Sequence, residues 1–130
     1  MDEQNVQKKW GYEIWFANNE EYCGKLIAIN ENRCSSEGKF HYHKIKDETF
    51  FVIDGELILE YFEDGLFYSI TLKPGQSFRV YPSVKHRFST DSKQCKFVEA
   101  STKHMESDSY RCTWDPEKGV WVEFSEQNKK

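Results

Sequence analysis

The stretch His41-Tyr42-His43-Lys44-Ile45-Lys46-Asp47-Glu48, continuing through Thr49-Phe50-Phe51-Val52-Ile53 to Asp54-Gly55, decides how the rest of the chain is read. In an extended strand, residues two apart project from one face, so His41 and His43 point the same way. Residues 49–53 are a β-rich run, and Asp54-Gly55 suits a tight hairpin turn. Glu48 lies beyond the end of the first run, where the next, antiparallel strand can bring it back alongside the histidines. Two imidazoles and a carboxylate make half a shell for a divalent transition metal. His86, carried in by a distant strand, would complete three nitrogens and one oxygen. Such a set leaves positions open for water or substrate, as a catalytic metal requires.

Outward from this stretch, the pattern is one of short strands. Trp10, Tyr12, Ile14 and Phe16 alternate with Gly11, Glu13 and Trp15, a period-two signal. Residues 25–29, 39–45, 56–62, 66–72, 77–81 and 96–100 read as further strands, with Phe88 on another. Lys73-Pro74-Gly75 is a turn, and residues 115–119 form a last hairpin between Trp114 and 120–124. No segment carries an apolar stripe of helical period. Short strands at this spacing mean an all-β sandwich or barrel. Residues 9–124 are expected to form the barrel of a single domain spanning 1–130, with 1–8 and 125–130 as frayed tails.

The 130 residues leave little room for a second domain. A net charge of −4 has the wrong sign for a protein held to nucleic acid or an anionic membrane by charge. Ten Phe, seven Tyr and four Trp exclude a disordered chain. The N-terminus carries no apolar run of the signal-peptide type, so the expected setting is the cytoplasm, with Cys23, Cys34, Cys95 and Cys112 as reduced thiols.

The run His41-Tyr42-His43, four residues, Glu48, six residues, Gly55 resembles the first motif of the cupin superfamily, HxH(x)3–4E(x)6G. Gly75 and His86 fit the spacing of the second motif. Ser35 stands at the first motif's opening glycine, and Thr90 at the asparagine that follows the last histidine. Lys9-Trp10-Gly11-Tyr12-Glu13 is similar to the PWG-x-E opening of small cupins related to mannose-6-phosphate isomerase and lyxose isomerase. Residues 98–102 and 108–111 resemble the IEVST…D-x-x-R segment of the same group. This resemblance implies a jelly-roll barrel, a bound divalent metal (Zn, Mn, Fe, Ni or Co), a sugar or sugar-phosphate substrate, and a homodimer.

Aldose–ketose isomerisation needs a base beside the metal. Glu99 is the first candidate, because its strand sets Phe97, Glu99 and Ser101 on one side against Val98 and Ala100 on the other. Which side faces inward is open; facing inward, desolvation would raise its pKa toward the working range. Lys39, two before His41, is the second candidate. Arg111 could clamp a phosphate or carboxylate, and Tyr81, shortly before His86, is a candidate substrate contact. His104 lies outside both motifs and receives no role. Dioxygenase or lyase chemistry on the same ligands, or a cupin that binds a small molecule without turnover, are the competing readings.

Overall fold

The protein is described by a computed structural model covering residues 4–91 and 93–124. Its strands are β1 (Gln4–Lys8), β2 (Gly11–Asn18), β3 (Tyr22–Ile29), β4 (Phe40–Tyr42), β5 (Glu48–Asp54) and β6 (Leu57–Glu63), then β7 (Leu66–Leu72), β8 (Ser77–Val80), β9 (Lys85–Ser89), β10 (Cys95–Thr102), β11 (Tyr110–Asp115) and β12 (Val120–Glu123). They form two antiparallel six-stranded sheets, in the orders β1-β2-β3-β10-β5-β8 and β12-β11-β4-β9-β6-β7. This is the all-β jelly-roll architecture expected above, with 3-10 turns at Ser35–Gly38 and Glu106–Asp108 as the helical pieces described. Among the described residues no helix is long and apolar enough to cross a membrane, and all four cysteines are free thiols.

Alternation along the strands builds the interior. In β5, Glu48, Phe50 and Val52 turn inward; in β6, Leu57, Leu59 and Tyr61; in β9, His86 and Phe88; in β10, Cys95, Phe97 and Glu99. Phe50, Phe88 and Phe97 meet between the sheets at ring separations of 4.7 to 5.8 Å and anchor the apolar core. Period-two burial therefore places apolar rings and ionisable side chains on the same inner faces.

Two motif glycines have steric reasons. A Cβ at Gly11 would lie 1.9 Å from the Ala28 carbonyl oxygen, so β2 and β3 approach too closely there for any side chain. Gly55 combines a φ of +78° with a Cβ position 2.5 Å from the Gln94 carbonyl oxygen.

Three expectations need correction. Residues 4–8 are not a loose tail: β1 pairs with β2 in register from Gln4↔Trp15 to Lys8↔Gly11, because ladder bonds form without apolar alternation. Residues 1–3 and 125–130 lie outside the described residues. The run read as a strand over 39–45 is a strand only at Phe40–Tyr42. The Asp108 carboxylate captures the N–H groups of Lys44, Ile45 and Lys46, drawing them out of any ladder. Finally, Glu48 does not return beside the histidines within one sheet. β5 belongs to the opposite sheet, and Glu48 reaches the imidazoles across the interior.

Candidate metal centre

His41 sits on β4 directly opposite His86 on β9, with ring centroids 4.2 Å apart. His43 follows the end of β4, held in place because its Nδ1–H donates to the Asp108 carbonyl at 2.9 Å. The Nδ1–H of His86 likewise donates to the Val84 carbonyl at 2.9 Å. These bonds fix the tautomers, leaving a lone pair on each Nε2. Both lone pairs face Glu48: His43 Nε2 lies 3.6 Å from Oε1 and His86 Nε2 3.4 Å from Oε2. Lone pairs aimed at a carboxylate repel unless a cation or proton lies between them.

Burial keeps the histidines neutral. His41 is held well below the usual histidine range by desolvation and by His86, and His86 is lowered by desolvation. Desolvation and the Lys46 charge bring His43 down to about 4. Burial and the Glu99 charge raise Glu48 to about 7, against the pull of His86 and Lys46. His41 Nδ1 and His86 Nε2 are buried nitrogens with no hydrogen-bond partner among the described residues. Neutral imidazoles, a buried carboxylate and carbonyl-anchored tautomers are the donor chemistry that a divalent transition metal takes. His41, His43, Glu48 and His86 thus fit such an ion chemically. As they stand, however, no three His, Cys, Asp or Glu side chains among the described residues are arranged to hold one. The two Nε2 atoms approach different oxygens of Glu48, while the unpartnered nitrogen of His41 is its Nδ1.

A cavity of about 120 Å³ opens above these groups, and His41, His43, Glu48, Glu99 and Arg111 line it. Glu99 faces inward, within a cross-strand row running Trp15–Lys25–Glu99–Phe50. Its Oε2 accepts from Lys46 Nζ at 2.6 Å and Ser101 Oγ at 2.8 Å. The expected rise in its pKa does not occur. Burial pushes the carboxyl up, but Lys25 and Lys46 outweigh burial and hold it down at about 2.

Arg111 stands opposite His41 across the β4–β11 pair and shares its cavity. Lys39 does not line the cavity: it follows the turn ending at Gly38, before β4 begins, and its Nζ lies 5.1 Å from the centre of the Phe124 ring. Tyr81 is half exposed and packs on the Arg79 guanidinium, outside the cavity, where the chain leaves β8.

Five participants escaped the sequence reading. Lys46 lies 3.5 Å from Glu48 Oε1 and donates to His104 Nδ1 at 2.9 Å. His104 Nε2–H donates in turn to Glu106 at 3.1 Å, and the His104 ring packs on Trp15. Lys25 sits over Trp15 and 3.8 Å from Glu13. Asp108 anchors both the loop and His43. Lys46 lies off the strand, in the loop that Asp108 holds before β5, and the others depend on register across strands, so no alternation signal singles them out. Replacing Asp108 with Ala leaves the buried Lys46 N–H unpaired, which costs about 1–3 kcal/mol. Urea unfolding should show that loss, and unchanged stability would mean the loop holds itself.

Residues 32–101, more than half of the chain, match the family model described as Cupin domain. Solved structures share the fold. Oxalate decarboxylase from Bacillus subtilis superimposes with a TM-score of 0.75 at 14% identity, over 85% of this chain and 30% of that one. Another structure of that enzyme, described through its Mn(II) centres, gives 0.73 at 15% identity over 83% and 30%. KdgF from Halomonas sp. gives 0.66 at 16% identity, over 82% of this chain and 90% of that one. The chain thus spans about 30% of the length of oxalate decarboxylase. No curated protein matches the sequence.

Proposed function

The chain belongs to the cupin domain family, and from that premise we propose that it is a metal-dependent enzyme of the isomerase or epimerase type acting on a small anionic sugar derivative. His41, His43, Glu48 and His86 would hold the ion. One observation carries the reading: two imidazole lone pairs converge on Glu48 beside a second inward carboxylate, Glu99, in one cavity. When bound, the metal supplies a Lewis acid that polarises a substrate carbonyl.

The cavity wall carries four acids (Glu13, Glu48, Glu99, Glu106) and four bases (Lys8, Lys25, Lys46, Arg111). A divalent ion added to that balance makes the chamber cationic, which favours a sugar acid or sugar phosphate over a neutral sugar. Arg111 offers a planar fork for such a group. Glu99 takes the proton from the carbon beside the carbonyl. In the resting site the lysines make it a weak base. A substrate carboxylate or phosphate pairing with Lys25 or Lys46 draws their charge away and restores its basicity. Glu99 then returns a proton to the substrate carbon that completes the isomerisation, and the chain of contacts from Glu99 through Lys46 and His104 to the exposed Glu106 lets that proton exchange with solvent in between.

Metal analysis of protein purified without chelator, paired with a screen of pentoses, hexoses, their phosphates and sugar acids for aldose–ketose conversion, tests the reading. Glu99→Gln should keep the metal and lose about 10²–10⁴-fold in turnover. An unchanged rate removes Glu99 from the chemistry. The low pKa of Glu99 favours a second reading, a cupin that binds such an anion without turning it over; saturable binding with no conversion by the metal-loaded protein would select it. Oxygen consumption would point instead to a dioxygenase. The homodimer and the cytoplasmic setting go with the first reading, and sedimentation equilibrium checks the former.

A further inference from the structure

Lys46 is the least exposed cationic side chain among the described residues, with 2% of its side chain exposed, and it lies inside the histidine–glutamate segment itself. Its Nζ contacts three partners at once: Glu99 Oε2 at 2.6 Å, His104 Nδ1 at 2.9 Å and Glu48 Oε1 at 3.5 Å. The Glu48 oxygen it approaches is the one that His43 Nε2 faces at 3.6 Å. One carboxylate oxygen therefore lies near both a fixed ammonium and a metal-competent imidazole.

We propose that Lys46 is an internal rival of the metal for Glu48 and sets how weakly, and therefore how exchangeably, this cupin holds a divalent cation. The inference rests on the metal reading given above. A cation entering between His43 and Glu48 meets a carboxylate already neutralised on one oxygen, and meets a like charge a few ångströms away with little water to screen it. The same ammonium occupies Glu99, a second inward carboxylate of the cavity that could otherwise add to the field on the ion. Both effects lower affinity. The site is nevertheless built to keep the lysine in place, since the Lys46 backbone N–H is tied to Asp108 at 3.0 Å and its Nζ rests on His104. His104 and Glu106 continue the polar chain toward solvent, so the ammonium has a second set of partners toward which it can swing when an ion enters.

The test is calorimetric titration of chelator-stripped protein with Mn²⁺ and with Zn²⁺, comparing wild type, Lys46→Met, Lys46→Gln and Lys46→Arg. Both neutral variants should bind about ten- to a hundredfold more tightly, the size of effect that groups around a metal shell exert. Lys46→Arg, which keeps the charge, should stay near wild type. A gain in affinity cannot come from structural damage, and two neutral side chains of different polarity guard against one failing to fold. If wild type binds metal and the folded neutral variants bind equally or less tightly, the rivalry is wrong while the metal site stands. If only the neutral variants bind, Lys46 is confirmed as the rival and a resident metal in wild type is excluded. If none binds, both ideas fall.

Discussion

Protein carrying His41→Ala together with His43→Ala is expected to lose stoichiometric metal while keeping the β-sheet signature of the parent. Both imidazoles leave the proposed ligand set, of which His43 faces Glu48 directly, and His86 with one carboxylate is too few donors to retain a transition ion through purification. The fold should survive, because neither residue belongs to the apolar cluster formed by Phe50, Phe88 and Phe97. The stability change has two opposing parts. Losing His43 strips the Asp108 carbonyl of its 2.9 Å donor, which costs about 1–3 kcal/mol if water does not replace it. Losing the same ring also removes a lone pair that faces Glu48 at 3.6 Å, a repulsion the metal-free protein otherwise carries. Thermal unfolding in chelator should therefore change little, whereas the stabilisation that added metal gives the parent should vanish. Metal retained at parental stoichiometry would show that the ligands lie elsewhere.

How much of this centre could be read from the sequence depends on how local each constraint is. His41, His43, Glu48 and His86 could be grouped as candidate ligands because metal-competent side chains are sparse; the two-residue repeat of extended chain relates His41 to His43, while Glu48 and His86 entered through the spacing of the cupin motifs. The all-β architecture was legible from alternation in β2 and β10, from β-rich runs such as residues 49–53, and from turns such as Asp54-Gly55. The end of β4 was not. The strand reading over 39–45 runs on past Tyr42, and what pulls Lys44, Ile45 and Lys46 out of the ladder is the carboxylate of Asp108, some sixty residues further on. Glu99 shows the limit most clearly. Alternation put it on one of two faces, but its chemistry depends on the Lys25 that β3 sets directly opposite and on Lys46 from the loop before β5. Those partners turn an expected rise in pKa into a fall. Lys39 failed for the converse reason: extending the β4 alternation back to Lys39 assumed a strand that begins only at Phe40.

The core beneath the histidines should respond to Phe50→Ala with a loss of about 3–5 kcal/mol, the range for deleting a fully enclosed phenylalanine. Phe50 is 1% exposed, makes an edge contact with Phe88 at 4.7 Å, and lies 5.8 Å from Phe97 and 6.2 Å from the His86 ring. Against a total stability of about 5–15 kcal/mol for a domain, that loss is a large share. It should appear as a lower denaturant midpoint with little change in slope. A loss under about 1 kcal/mol would mean that the barrel collapses onto the vacated space, contrary to how close-packed interiors respond. The metal makes the experiment more searching. Ligand at a hundredfold excess over its Kd stabilises a native state by about 2.7 kcal/mol when affinity is unaltered. The His86 ring neighbours both Phe50 and Phe88, so a cavity in place of Phe50 would let it shift and would weaken its hold on a bound ion. Added metal should then rescue Phe50→Ala by less than it stabilises the parent. Equal rescue would mean that the imidazole is positioned by its Val84 carbonyl bond alone, and that the aromatic floor serves the fold without aiming the ligand.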